Sequence, residues 1–365
     1  MKRYAMFDPP EYVEWKPADD VMDEFHQTLT KDETRAKIIE LLTREQLLGL
    51  YSGMLRFRLH DITLARWVRH GVISKAWLGT GEEAVTVGNV HALNRREDVV
   101  GPMIRNAGAC HEMGIPVADM LREYLSTEDS PSKGKCLHVG GLDHGVIAPV
   151  SQVAALSPVV AGVALSFKQR REKRVVLTWV GDGATKTTAS HEGINLAAVL
   201  RVPVIYVLQN NQIALGTRLD QHQAGPFASW GKAYGVTSFT CHGNNVLDTY
   251  AATKLAADLC REGKGPVMVI PETFRMGGHA THDERKARVI FSPELFTYWG
   301  KRDPIGMFEH YLKGKGFKSA ELERIEQNVI DELAAAEKLA LQSREKHLPR
   351  PESTLTDVYA TGPAS

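Results

Sequence analysis

Apolar positions along this chain fall into two kinds of block, one with helical and one with strand spacing. Leu47, Leu48, Tyr51, Met54, Leu55 and Leu59 recur on one helix face. Thr43 and Gln46 precede that run at capping-box spacing, and Gly71 follows Arg69-His70, so a helix is predicted between Thr43 and Gly71. A second helix opens within Leu78–Ala92, after two glycines. Short apolar runs of strand length lie at 98–100, 175–180, 204–208, 238–241 and 266–270. A helical stretch reaching about Leu200 and another at Val246–Cys260 separate consecutive runs. Strands alternating with helices predict an α/β fold, with a mostly parallel central sheet flanked by helices.

Ser157-Pro158 predicts a helix start with Ser157 as N-cap, and the following VVAGVALSF is apolar all round, as in a buried helix. Ala320–Leu341 predicts a long, charged amphipathic helix in a C-terminal helical region. Residues 1–41, acidic and proline-containing with Tyr12 and Trp15 as anchors, read as an N-terminal arm over a neighbouring surface. Residues 42–345 read as the α/β domain and 346–365 as a C-terminal tail.

Charge narrows the partners. Lys plus Arg and Asp plus Glu each number 44, which gives no case for nucleic acid or a membrane surface. Cys110, Cys136, Cys241 and Cys260 are scattered without a CxxC pair, as expected of reduced thiols in the cytoplasm. The N-terminus has no apolar signal region, and no run approaches the roughly 18 apolar residues of a membrane span.

The candidate chemistry sits at the ends of predicted strands. Gly181-Asp182-Gly183 ends one strand and Asn210-Asn211 ends the next, with 26 residues between the two motifs. In an open parallel sheet that edge binds ligands. A carboxylate and an amide oxygen there suit Mg²⁺, whose six-oxygen shell is usually completed by phosphate and water. Backbone N–H groups of Gly183 and Ala184 at a helix N-terminus would meet the same phosphates, so a bound diphosphate is predicted. Arg105 follows another strand end. The polar loop 126–149, with His138 and His144, and the glycine-hinged stretch 272–288 are further candidates.

Five motifs in order carry a family likeness: GEEA at Gly81, IRNAG at Ile104, EGINLAA at Glu192, NNQIALGT at Asn210 and TFRMGGHATHD at Thr273. With the GDG–NN spacing and a DVY at Asp357–Tyr359, the chain from about Leu47 to Asp303 resembles the alpha subunit of thiamine-diphosphate-dependent 2-oxo acid dehydrogenases. These are the decarboxylating components of the pyruvate and branched-chain type. The resemblance implies the thiamine-diphosphate-binding fold. It implies Mg²⁺ held by Asp182, Asn211 and the Ile213 carbonyl. It places Arg105 and His279 at the diphosphate, backbone contacts at Gly181, Gly183 and Ala184, and Ser151 and Val153 against the aminopyrimidine. Arg275 would order the loop carrying His279, which would lie beside the thiazolium, and His138 would stand on the substrate side.

The resemblance also implies partners: a beta subunit that supplies a glutamate, in a heterotetramer of two alpha and two beta chains, and a lipoyl-bearing acyltransferase. The small 2-oxo acid would be pyruvate or a branched-chain acid; TYWGKRDPI at Thr297 and the DVY tail lean toward the branched-chain type. An acetoin-type dehydrogenase subunit and a non-catalytic scaffolding subunit are the alternatives. Three departures stand out. Lys186-Thr187-Thr188-Ala189 replaces a glycine-containing turn, and Ile104 replaces a tyrosine. Ala280 occupies the position of the serine phosphorylated in mitochondrial relatives, leaving Thr281 as the adjacent hydroxyl.

Overall fold

Alternate residues of a strand point to opposite faces, and in this chain both faces are covered. Val176 and Val180 pack with Val160, Ile194 and Tyr206 on one side, whereas Leu177 and Trp179 pack with Ile205, Val207 and Ala252 on the other. Burial of both faces is why these strands read as unbroken apolar runs. The computed structural model describes residues 1–356, so the DVY at 357–359 lies outside the described residues.

In chain order the strands are β1 (Val99–Gly101), β2 (Val176–Gly181), β3 (Val204–Gln209), the short β4 (Ile213–Ala214) and β5 (Thr217–Arg218), β6 (Thr237–His242) and β7 (Val267–Glu272). Five of them form one sheet in the order β1-β2-β3-β7-β6, every pair parallel; β4 and β5 form a separate antiparallel hairpin. Helices Leu156–Gln169 and Thr188–Leu200 cover one face, and Glu83–His91 and Val246–Arg261 the other. The chain steps from β1 to β3, jumps to the far edge at β6 and returns as β7 beside β3. That reversal opens a crevice at the carboxyl ends of the strands.

The predicted helix at Thr43 spans Arg44–Arg69, and both halves of its capping box form. The first 41 residues differ from the expected arm. They fold as helices Pro10–Val13, Asp19–Thr30 and Glu33–Glu40 against this same chain, with Tyr12, Val21, Phe25 and Ile39 buried in its core. Asp32 caps the third helix through the Thr34 and Arg35 N–H groups. The helix at 157 also differs: it begins at Leu156 with Ala155 at the N-cap, and the Ser157 hydroxyl caps nothing. It is not buried all round, since Val159 is 48% exposed while Val160, Ala161, Ala164 and Phe167 are buried. The loop 126–149 contains a short 3₁₀ turn, Leu142–His144, and Val146 bridges Val100 and Gly141. The last long helix, Ser319–Lys346, buries Leu322, Val329, Leu333 and Ala336. No helix among the described residues is long and apolar enough to cross a membrane.

Candidate active site

Parallel pairing puts the ends of β1, β2, β3 and β7 on one edge. Gly181 stands opposite Gln209, and Asn210 bridges Glu272. After β2 the chain does not enter its helix directly. Gly183–Lys186 makes a single 3₁₀ turn, Thr187 turns extended, and its hydroxyl accepts from the Ser190 N–H to start helix Thr188–Leu200. The Gly183 and Ala184 N–H groups therefore belong to the 3₁₀ turn and not to the α-helix. A Cβ on Gly183 would lie 2.5 Å from that of Ala214, so a glycine lets the two loops approach.

A cavity of about 430 Å³ opens at this edge. Arg105, Ser151, Val153, Gly181, Asp182, Gly183, Ala184, Asn211, Ile213, Arg275 and His279 all line it. His138 does not. Its ring packs edge-on at 5.6 Å against Trp77, which does line the cavity.

One group of residues lining the cavity offers hard oxygen donors. Asp182 is 2% exposed, burial pushes its carboxyl pKa up, and Oδ2 has no hydrogen-bond partner. His222 Nε2 lies 3.6 Å from that oxygen. Asn211 donates through Nδ2 to Glu82 Oε1 at 2.9 Å, and its Oδ1 accepts from the Ile213 N–H at 3.3 Å. The Ile213 carbonyl accepts from Arg275 at 3.2 Å, which leaves its second lone pair. Among the described residues, no group of three or more His, Cys, Asp or Glu could hold a metal. A carboxylate, an amide oxygen and a carbonyl do fit a hard cation whose shell is completed from outside, and the orphaned Asp182 oxygen is the feature that calls for one.

A second group of lining residues is cationic. Arg105 donates to the Leu78 carbonyl and to His279 Nδ1, each at 3.1 Å. A guanidinium only donates, so Nδ1 is the acceptor and the imidazole proton sits on Nε2. Burial, then Arg105 and Arg275, push the His279 pKa down to about 4. His279 is thus a neutral donor beside two cations. Arg275 is 1% exposed, and its donors reach the carbonyls of Ile213, Leu215 and Gly277, each at 3.2 Å. It thereby ties the loop after β3 to the loop that carries His279.

Backbone conformation marks the same place. Ala154, Gln212 and Leu215 have φ of 60°, 65° and 57°, and all three lie in the two loops beside the cavity. Such left-handed residues cost about 1–2 kcal/mol each, and they cluster where a ligand or loop fixes the chain. No local pattern marks the apolar wall, Trp77, Met103, Trp179 and Leu215, so the sequence does not show it. Nor does a pattern mark Glu82, although the acid stands in the GEEA motif. At the start of a helix an acid reads as an ordinary dipole partner.

The family model "Dehydrogenase E1 component" matches residues 51–349. The 2-oxoisovalerate dehydrogenase subunit alpha of Homo sapiens (mitochondrial) is 30% identical over 364 residues, covering 98% of this chain and 79% of its own length. The mouse protein of the same name is 29% identical over 98% of this chain and 80% of its own. The Bacillus subtilis 2-oxoisovalerate dehydrogenase subunit alpha is 30% identical over 87% of this chain and 97% of its own. The family depends on thiamine diphosphate, and an alpha subunit implies a beta subunit. Strand order, cavity and comparisons agree: the chain belongs to the dehydrogenase E1 component family, as an alpha subunit of a 2-oxo acid dehydrogenase.

Proposed function

We propose that this chain binds Mg²⁺ and thiamine diphosphate in the cavity and, with a beta subunit, oxidatively decarboxylates a branched-chain 2-oxo acid. The acyl group passes to a lipoyl domain of an acyltransferase. The observation that carries this reading is the presence, in one cavity, of the unpartnered Asp182 oxygen and the Arg105–His279 pair. Asp182, Asn211 Oδ1 and the Ile213 carbonyl would hold the metal. Arg105, the Nε2–H of His279 and the Gly183 and Ala184 N–H groups would meet the diphosphate, with Gly181 ending the strand beside it. Arg275 orders the two loops that carry Ile213 and His279.

When bound, thiamine diphosphate supplies the nucleophilic carbon that adds to the 2-oxo carbon and the electron sink that makes loss of CO₂ possible. This chain's part is to bind and orient. Ser151 and Val153 would wall the aminopyrimidine, Trp77 and Trp179 would exclude water, and His279 offers a proton-bearing nitrogen that stays neutral beside Arg105. His138, behind Trp77, would act on the substrate side only through that ring. Ser151, Gln152 and Val153 are exposed, as are the apolar Val150 and Leu215, so one side of the cavity is open. A beta subunit would close that side in a heterotetramer of two alpha and two beta chains, with residues 42–345 providing this half of the site. The relatives' names favour a branched-chain acid over pyruvate or acetoin.

The test is a substrate screen of the reconstituted pair with a lipoyl domain. Reductive acylation fastest with 2-oxoisovalerate and its homologues is expected. A preference for pyruvate or acetoin would redirect the substrate, and no acylation with any of them would leave a scaffolding subunit.

A further inference from the structure

Glu82 is completely buried, yet it is not among the residues lining the cavity. Its Oε1 accepts from Asn211 Nδ2 at 2.9 Å and from Gln209 Nε2. Its Oε2 makes no hydrogen bond and lies 3.9 Å from Arg105 Nη1. The Gln209 amide is fixed in turn: its Oε1 accepts from Asn106 Nδ2 at 3.1 Å, and Asn106 Nδ2 also reaches Thr86 Oγ1 at 2.7 Å.

An asparagine amide has two ends of nearly equal size and opposite character, one donating and one accepting. A carboxylate against one end selects the NH₂ group there and turns the oxygen the other way. If the Asn211 amide flipped, its oxygen would face the Glu82 carboxylate and its N–H groups would face the place assigned to the cation. Both contacts would repel. The orientation of Asn211 is therefore set from behind, by a residue 129 positions away in the chain.

We propose that Glu82 is a positioning residue, which locks Asn211 with its oxygen toward the metal and holds that end in register with Arg105. The proposal rests on the reading above that Asn211 is a metal ligand. Outer-sphere partners of this kind typically change metal affinity about 10–100-fold when removed. The charged face of Glu82 toward Arg105 is a second, weaker contact. A glutamine in its place would keep one acceptor oxygen for Asn211 and Gln209, lose the charge, and turn an NH₂ group toward Arg105.

The experiment measures binding of Mn²⁺, counted by its electron paramagnetic resonance signal, to the reconstituted alpha–beta pair with thiamine diphosphate. Glu82→Ala is expected to weaken Mn²⁺ binding at least about tenfold, and Glu82→Gln to recover most of the loss. Wild-type affinity in Glu82→Ala, or an equal loss in Glu82→Gln, would overturn the proposal. An independent comparison uses Asn211→Asp, whose carboxylate has no wrong face. In that background, adding Glu82→Ala is expected to cause no further weakening, and a loss as large as in the wild-type background would overturn the proposal. If Glu82→Ala folds poorly, Glu82→Gln decides in its place: Mn²⁺ binding close to that of the wild type is expected, and a loss of about tenfold or more would overturn the proposal. Wild-type protein that binds no Mn²⁺ would overturn the metal site itself, and Glu82's role with it. Normal wild-type binding with an unaffected Glu82→Ala overturns only the role of Glu82.

Discussion

Arg105 donates a hydrogen bond to Nδ1 of His279 at 3.1 Å across 174 residues of sequence. That contact fixes the tautomer; burial first, then Arg105 and Arg275, push the imidazole pKa down to about 4. The folded value lies below the ordinary value of about 6.5, so as pH falls the unfolded chain takes up the proton first. The contribution to stability is complete above about pH 6.5 and is lost as pH falls toward 4. Histidine-ring NMR of the cofactor-free protein is expected to show His279 neutral at pH 6, protonated on Nε2, with a midpoint near 4. A midpoint at or above 6.5 would contradict the contact.

Arg58 is 2% exposed and faces Glu83, Asp303 at 3.1 Å and Asp8 at 3.6 Å. Asp303 also binds Arg3 at 2.6 Å, so the N-terminal segment is joined to the core through buried charge. Burial lifts the Glu83 pKa to about 7 despite Arg58. Replacing Arg58 with Met leaves these carboxylates without their shared cation, a loss of about 3–5 kcal/mol. Chemical denaturation should show it. A change below about 1 kcal/mol, the scale of exposed pairs, would mean the network is solvated.

Gly183→Ala places a Cβ 2.5 Å from the Ala214 Cβ. Overpacking of this kind costs about 1–3 kcal/mol, and the displaced loop is expected to weaken binding of thiamine diphosphate. Adding Ala214→Gly removes the clashing atom and should recover a large part of both losses. Failure of the second change to help would show that Gly183 is required for another reason.

Ala280 carries no hydroxyl and is 2% exposed. The neighbouring Thr281 Oγ1 accepts from the Ala76 N–H at 3.1 Å, and its own N–H donates to the Ala76 carbonyl at 2.9 Å. Inhibitory phosphorylation at this loop is therefore not expected. Mass spectrometry of the protein isolated from cells should find Thr281 unmodified. Stoichiometric phosphate there with loss of activity would contradict this.

The legible parts of the site were those punctuated in sequence. Gly181-Asp182-Gly183 and Asn210-Asn211 end strands, and a parallel sheet sends both to one edge whatever the helices between them do. The helix at Arg44 was legible because its capping box is local. What escaped was either non-local or locally contradictory. Glu82 acts through residues 127 and 129 positions away, a relation that spacing does not encode. Helix Asp19–Thr30 buries Val21, Met22 and Phe25, but Asp19, Asp20, Asp23 and Glu24 surround them and make the segment read as an acidic arm. Ser157 looked like a cap, but Ala154 at φ 60° has already turned the chain and Leu156 begins the helix. The apolar pattern after Ser157 could not show that Val159 would be left uncovered by this chain.

The proposed metal site depends first on Asp182, whose buried Oδ2 has no hydrogen-bond partner. Calorimetric titration of thiamine diphosphate with Mg²⁺ into the reconstituted alpha–beta pair compares wild type with Asp182→Ala. Mg²⁺-dependent binding by the wild type and none by the variant is expected, with both proteins equally folded by circular dichroism. Unchanged affinity in Asp182→Ala would contradict it.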